Sequence, residues 1–581
     1  MYISNLKKFI EYFAGNYKKK IIFYVLISYI AAILEFCGVA IVYPFILLIL
    51  KPDIMANFAL QVSPLFLGCL IFLLFVIKNL FMLYCLKKQS EITKSIEVNA
   101  IQIFMNYFLT APYNEVSKIS RAEKDYIFNT LIPESINNYF LRFLNLNINL
   151  SIVLFILLLI FIKFPFPALI TATFTVLAVF FLNAIYKKNL NILSKISWHS
   201  QKEYTLLKGA ILPNLKLIKL SGTQIDFSDK LSKMLQRYKV SMANYLSINS
   251  FQPYVLEPFI IILLFILLGA ITCEVGQDTN VLIASFSIIA SAIFRIMPAL
   301  SRVQVALNAI TFGKRYIDEL LKVYEKSLSH QPEIADANIT FKDYLELKDI
   351  CFSYDETPVL QNVNLQINKG LFVGLVGPSG AGKTTLIDVL CGLLKPSSGH
   401  IVVDGLNVNG VSSLVGYVPQ EPIFFNTSFR ENIAFGAESI DDVKVKQLLE
   451  KVGLLSFIEE TYSDGIYASP LTDSVGLSTG QKQRLSIARA LYNNPQVLIL
   501  DEATSALDLQ TERIVCDLVH SLTPEVTIIA IAHRLSTLKQ ADRVVFIKQG
   551  TILAEGTYSE LESSCIDFKT LLALQKLSIE A

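Results

Sequence analysis

Over its first 300 residues the chain alternates long apolar runs with polar segments; beyond them the alternation shortens to the scale of single strands and helices. Six runs stand out: Ile21–Leu50, Leu60–Leu86, Tyr139–Ile162, Pro167–Tyr186, Tyr254–Val275 and Val281–Leu300. Each supplies roughly the 20 residues a helix needs to cross about 30 Å of hydrocarbon, where backbone polar groups must pair internally. Residues 1–20 precede them as an interfacial segment, helical over 1–17, and the run after Lys18-Lys19-Lys20 is too long for the core of a cleavable signal. After Leu345 the pattern predicts strands at Leu345–Tyr354, Leu371–Gly377, His400–Asp404, Val415–Val418, Val497–Leu500, Thr527–Ala532 and Arg543–Lys548. Strands alternating with helices indicate an α/β domain.

Charge orients the runs. Residues 187–250 hold eleven Lys/Arg against three acids, whereas 274–280 hold two acids and no base. The positive-inside rule then places both termini and the long loops 87–138 and 187–253 in the cytoplasm. The division that follows is an interfacial segment (1–20), a six-helix membrane domain (21–320), a connector (321–344) and an α/β domain (345–581). Composition agrees: 53% of the residues are hydrophobic, 17% are charged and mean hydropathy is +0.49. The net charge of +2 gives no basic field that would point to nucleic acid. Eight scattered cysteines (Cys37, Cys69, Cys85, Cys273, Cys351, Cys391, Cys516, Cys565) without a C-x-x-C pair suit neither a disulfide framework nor zinc.

Two segments carry phosphate chemistry. Gly377-Pro378-Ser379-Gly380-Ala381-Gly382-Lys383-Thr384 follows an apolar strand and opens a helix at Thr385, as a phosphate loop requires. Its backbone N–H groups and the helix N-terminus surround phosphates, Lys383 reaches the β/γ-phosphates and the Thr384 hydroxyl suits Mg²⁺. The apolar strand Val497–Leu500 ends in Asp501-Glu502. A buried strand does not end in two carboxylates without a cation or proton to handle; Asp501 fits the Mg²⁺ side and Glu502 the base that polarises the attacking water.

The loop, together with Leu477–Asp508 (LSTGQKQRLSIARALYNNPQVLILDEATSALD), resembles the nucleotide-binding domain of ATP-binding cassette (ABC) transporters. The resemblance implies ATP and Mg²⁺ as ligands and a second copy of the chain as partner, because the LSTGQ segment closes on ATP held by the other domain's loop. A homodimer would have two such composite sites. It assigns Tyr354 to adenine stacking, Gln420 to sensing Mg²⁺ and water, His533 to the γ-phosphate, and Ser478, Thr479, Gly480 and Gln481 to the partner's nucleotide. It also places Ser505–Asp508 at the dimer interface. Two departures stand out: Thr479 replaces a customary Gly, which is acceptable if its φ is negative, and Leu471–Gly476 replaces a Gly-Glu-x-Gly-like stretch. Membrane domain first and nucleotide domain second on one chain resembles exporter half-transporters. By the same resemblance coupling helices fall near Ala111–Lys118 and Leu206–Leu220.

Charges inside the apolar runs bear on cargo. Glu35, Lys78 and Arg295 each cost roughly 2.5–3.5 kcal/mol at mid-bilayer, so each requires a partner or a wet cavity. Arg302 follows Arg295 by seven residues, about 20° from the same helical face. The two arginines form either a cationic stripe for an anionic group or unrelated features: snorkelling by Lys78, a Glu35–Arg295 pair and cytosolic exposure of Arg302. Glu35-Phe36 with Tyr43-Pro44-Phe45, Leu217–Leu220 and Arg295–Pro298 resemble bacterial lipid-linked oligosaccharide flippases, implying a polyprenyl-pyrophosphate glycan moved across the cytoplasmic membrane of a bacterium. Peptide or multidrug export, and a membrane-anchored regulatory ATPase or ATP-gated channel, are the alternative functions.

Overall fold

The computed structural model describes residues 2–50, 64–275, 279–328, 339–470, 476–503, 509–532 and 535–580. They form two compact units, one of Met1–Ala111 and Glu115–Gln331, the other of Pro332–Ala581 with Pro112–Asn114.

In the first unit, six helical stretches among the described residues are long and apolar enough to cross a membrane. Most outrun the apolar segments that predicted them. The second run ends at Leu86, yet its helix spans Pro64–Thr110. Past Leu86 the helix buries Ile92, Ile96, Ala100 and Phe104, a stripe at i, i+4 spacing, while Lys88–Glu91 (2.7 Å) and Lys94–Glu97 (2.6 Å) pair on its surface. The fourth, fifth and sixth helices likewise extend, over Pro165–Ile211, Gln224–Val275 and Thr279–Leu328. The first run is split into Lys18–Ala40 and Val42–Leu50. Two π-turns, Ile127–Leu131 and Ile136–Phe140, lead into the third helix. There Gly313 of the sixth helix lies so close that a Cβ would sit 2.8 Å from the Asn138 carbonyl oxygen.

The N-terminal helix Tyr2–Phe13 turns its apolar face to protein: Phe9 and Phe13 are fully buried. Phe13 lies 6.0 Å from Phe104 and 4.9 Å from Tyr324, and Lys8 pairs with Glu325 at 2.7 Å. Short helices occur at Tyr113–Ser117 and Leu215–Leu220; residues 206–211, expected in the second of these, belong to the long fourth helix.

Among the described residues, the second unit holds two sheets. A six-stranded sheet has the order β10-β9-β3-β8-β7-β6, with β3 Phe372–Val376, β6 Val415–Val418, β7 Val497–Asp501, β8 Thr527–Ile531, β9 Arg543–Lys548 and β10 Thr551–Gly556. All its neighbours pair parallel except β9 and β10. Strands β3, β7 and β8 are buried along their whole length, as strands covered on both faces must be, which explains their unbroken apolar sequences. An antiparallel sheet has the order β2-β1-β4-β5, with β1 Tyr344–Tyr354, β2 Thr357–Asn368, β4 Ser398–Val403 and β5 Leu406–Val408. Strands β2, β5 and β10 escape the sequence pattern: β2 interleaves exposed Thr, Pro, Gln and Asn with its buried residues, β5 is only three residues long, and β10 has no fully buried residue.

Candidate functional site

Strand β3 delivers the chain into the Gly-rich loop, and the helix Lys383–Leu390 leaves it. Sterics dictate the glycines. A Cβ on Gly377 would lie 2.0 Å from the Ile547 carbonyl oxygen, and Gly382 sits at φ +99°, the left-handed region that favours glycine. The loop therefore packs backbone directly against β9 and leaves its amides for a phosphate group. Lys383 is buried; its Nζ donates to the carbonyls of Gly377 (2.8 Å) and Pro378 (3.1 Å). Burial holds its ammonium below the usual value, while Glu502 and Asp501 pull it back up. Ser379, Gly380 and Thr384 are exposed, and Pro378, Ala381 and Thr385 complete the turn around them.

Strand β7 brings the two carboxylates to the same end of the sheet. Asp501 is 8% exposed and accepts from the Tyr417 hydroxyl at 2.9 Å. Glu502 stands just past the strand at φ +49°, a conformation that costs a residue with a side chain about 1–2 kcal/mol. Its amide donates to Ile531 on β8 (3.0 Å), and its carboxylate accepts from Gln420 Nε2 at 2.5 Å. The parallel order thus places Lys383, Asp501, Glu502 and Gln420 together from three distant stretches of sequence.

The oxygen donors at this end suit Mg²⁺. No group of three or more His, Cys, Asp or Glu among the described residues forms a cage of its own. One carboxylate (Asp501), a hydroxyl (Thr384) and an amide (Gln420) match an ion that completes its shell with substrate phosphates and water. Bound there, Mg²⁺ would supply neutralisation of phosphate charge.

Ser478 caps the helix Thr479–Tyr492 in a reciprocal box with Gln481: Ser478 Oγ accepts from the Gln481 amide (3.2 Å) and Gln481 Oε1 from the Ser478 amide (2.8 Å). Thr479 is the first helical residue, with no left-handed φ, so the backbone accommodates it without strain. Gly480 follows it in the first turn. This helix packs against β6, the sheet's edge, and Gln483 Nε2 donates to Pro419 beside Gln420 (3.2 Å). Tyr354, 38% exposed at the end of β1, packs edge-on against Phe352 at 4.9 Å. His533, Ser505–Asp508 and residues 471–475 lie outside the described residues.

Sequence reasoning passed over three features. Tyr417, three residues before Gln420, orients Asp501. Asp388, one helical turn beyond Thr384, has its carboxyl pushed up to about 6 by burial and by Asp501. Arg489 donates to the Asn432 and Ile423 carbonyls (2.8 and 2.7 Å) and lies 4.5 Å from the Phe424 ring. Spacing along the Gly-rich loop's helix signals Asp388; nothing local signals Arg489's partners, which are some sixty residues away.

In the membrane unit Glu35, Lys78 and Arg295 meet. Glu35 Oε2 lies 2.6 Å from Lys78 Nζ, and Oε1 lies 3.3 Å from Arg295 Nη1. The ring of Phe75 lies 4.7 Å from the ammonium and 5.3 Å from the guanidinium. Lys78 is therefore a buried partner of Glu35 rather than a snorkelling residue, and Arg295 shares that carboxylate. Arg302 is exposed and does not join them.

A family model described as ABC transporter matches residues 360–505. A Rickettsia bellii protein, whose name describes it as an export ATP-binding/permease protein, is 31% identical over 400 residues, 66% of this chain and 68% of the relative. An ATP-dependent lipid A-core flippase of Desulfotalea psychrophila is 38% identical over 244 residues, 40% of this chain and 42% of the relative. With that flippase and two further relatives, the match spans only 25% to 42% of their length. Among solved structures, a bacterial Atm1-family ABC exporter with ATP bound superposes with a TM-score of 0.79 at 18% identity, covering 96% of this chain and 98% of that one.

Proposed function

The chain belongs to the ABC transporter family as a multi-pass membrane protein with an exporter fold, and on that premise we propose that it is an ATP-hydrolysing half-transporter working as a homodimer. Its cargo in this reading is an amphipathic anionic lipid, a polyprenyl-pyrophosphate oligosaccharide, moved across the cytoplasmic membrane of a bacterium with both termini inside. Glu502 acts as the base toward water, and the Gln420 amide at 2.5 Å positions that carboxylate. Lys383 and the loop amides hold the phosphates, Asp501 and Thr384 face the metal, Tyr354 stacks on adenine, and His533 reaches the γ-phosphate.

Sheet order supports the dimer. The strand feeding the Gly-rich loop and the edge strand against which the Ser478 helix packs are three positions apart, about 14 Å at 4.8 Å per strand. The Ser478 helix lies against that edge, and in this reading its first turn serves a nucleotide held by another copy.

The cargo reading is carried by one observation: two cations are held inside apolar helices against a single carboxylate. An anionic headgroup crossing the bilayer needs such cations, whereas a cationic drug would be repelled. The flippase relative points the same way. ATPase measurements in proteoliposomes test it by comparing polyprenyl-pyrophosphate glycans, peptides and cationic drugs. The glycan lipid is expected to stimulate the wild type, and the stimulation is lost in Lys78→Met/Arg295→Met while basal hydrolysis persists. Stimulation by peptides or cationic drugs alone would replace this reading with the alternative export function.

A further inference from the structure

The charges at Glu35 do not balance. Lys78 and Arg295 bring two positive charges to one carboxylate, and among the described residues no other acid pairs with either. The cluster is thus one anion short in a setting where an unpaired charge is costly. Its two arms also differ. Lys78 is 5% exposed and 2.6 Å from Glu35, a tight charge-assisted contact. Arg295 is 35% exposed, sits at 3.3 Å and spends one of five donors on the carboxylate. A guanidinium with free donors on its open side fits a phosphate in bidentate fashion, and a carboxylate competes for the same geometry.

We propose that Glu35 is the resident counter-anion of the transport path: it competes with a phosphate or pyrophosphate headgroup for Arg295 and thereby sets how tightly that group is held and how fast it leaves. The inference rests on the anionic-lipid reading above. When the headgroup arrives, the looser Arg295 arm transfers to it and the Glu35–Lys78 pair stays closed. When the headgroup departs, Glu35 reclaims Arg295, so neither state leaves Arg295 bare. Without Glu35 the headgroup would meet two uncontested cations and be released slowly. Glu35 is on this account a positioning residue that tunes release; Arg295 makes the contact.

The test uses the full chain in lipid nanodiscs, with farnesyl pyrophosphate as the anionic probe and farnesol as its neutral counterpart. Glu35→Gln is expected to bind the pyrophosphate roughly 5–150-fold tighter than wild type, the range of a site-to-site coupling, with farnesol binding unchanged. In proteoliposomes the same variant should show a lower KM and a lower kcat for lipid-stimulated ATPase, and Glu35→Asp should restore both. Glu35→Gln/Lys78→Met, which keeps the cluster's net charge, serves if the single variant does not fold and should also bind more tightly than wild type. Unchanged or weaker pyrophosphate binding in these variants would overturn the proposal. If wild type still moves the glycan lipid in that case, the counter-anion role falls alone; if it moves no anionic lipid, the cargo reading falls with it.

Discussion

At the scale of single residues, the candidate nucleotide site combines a strained carboxylate, Glu502, proposed as the base, with a protonatable neighbour of Asp501, the proposed metal-side carboxylate. Glu502 is held at φ +49° by the hydrogen bond its amide donates to the Ile531 carbonyl and by Gln420, so its carboxylate is fixed before nucleotide arrives. Glu502→Gln should retain ATP binding and lose about 10²–10⁴-fold in phosphate release; brisk hydrolysis by that variant would remove Glu502 as the base. Asp388 gives a pH signature. Its folded pKa, about 6, lies above the usual 3.8, so the stability it contributes is present below pH 3.8 and is lost as pH rises through about 6. Asp388→Asn should therefore raise the unfolding temperature of nucleotide-free protein more at pH 7.5 than at pH 4.5. An equal rise at both values would contradict the assignment. The sequence made Lys383, Asp501 and Glu502 legible because fixed local spacing encodes their work; Tyr417 and Asp388 become readable only once the parallel sheet sets their strands and helix side by side.

Among the elements, the helices show where a sequence pattern stops informing. Apolar composition locates the hydrocarbon-spanning parts, but the polar extensions are stabilised by narrow stripes such as Ile92-Ile96-Ala100-Phe104, which a window of mean hydropathy averages away. Likewise β2 alternates buried and exposed residues and β10 alternates half-buried and exposed ones, so neither carries an apolar run. The Ser478 helix decides the question raised by Thr479. Because Thr479 occupies the first helical turn, Thr479→Gly gains no access to a needed conformation and gives up helix propensity worth about 0.3 kcal/mol. ATP turnover of that variant should stay within about twofold of wild type, the factor corresponding to that energy. A tenfold rise would mean that Thr479 itself slows the engine.

For the whole molecule, the proposed function rests on two copies sharing each nucleotide site and on cations shared between the bilayer's apolar helices and their cargo. In that proposal neither unit suffices: the α/β unit has one Gly-rich loop and one Ser478 helix, separated across the sheet, and the membrane unit has charges that an ATPase alone does not need. The sharing of sites can be measured directly by mixing two inactive variants. Lys383→Ala cannot hold phosphate, and Ser478→Arg blocks the helix end that closes on the partner's nucleotide; each alone should hydrolyse ATP at background rates. A mixed dimer regains one intact site, built from the loop of the Ser478→Arg copy and the helix of the Lys383→Ala copy. Co-expressed and purified through tags on both chains, the mixed dimer should recover hydrolysis well above either variant alone. Background hydrolysis by a mixed dimer that still binds ATP would contradict the account.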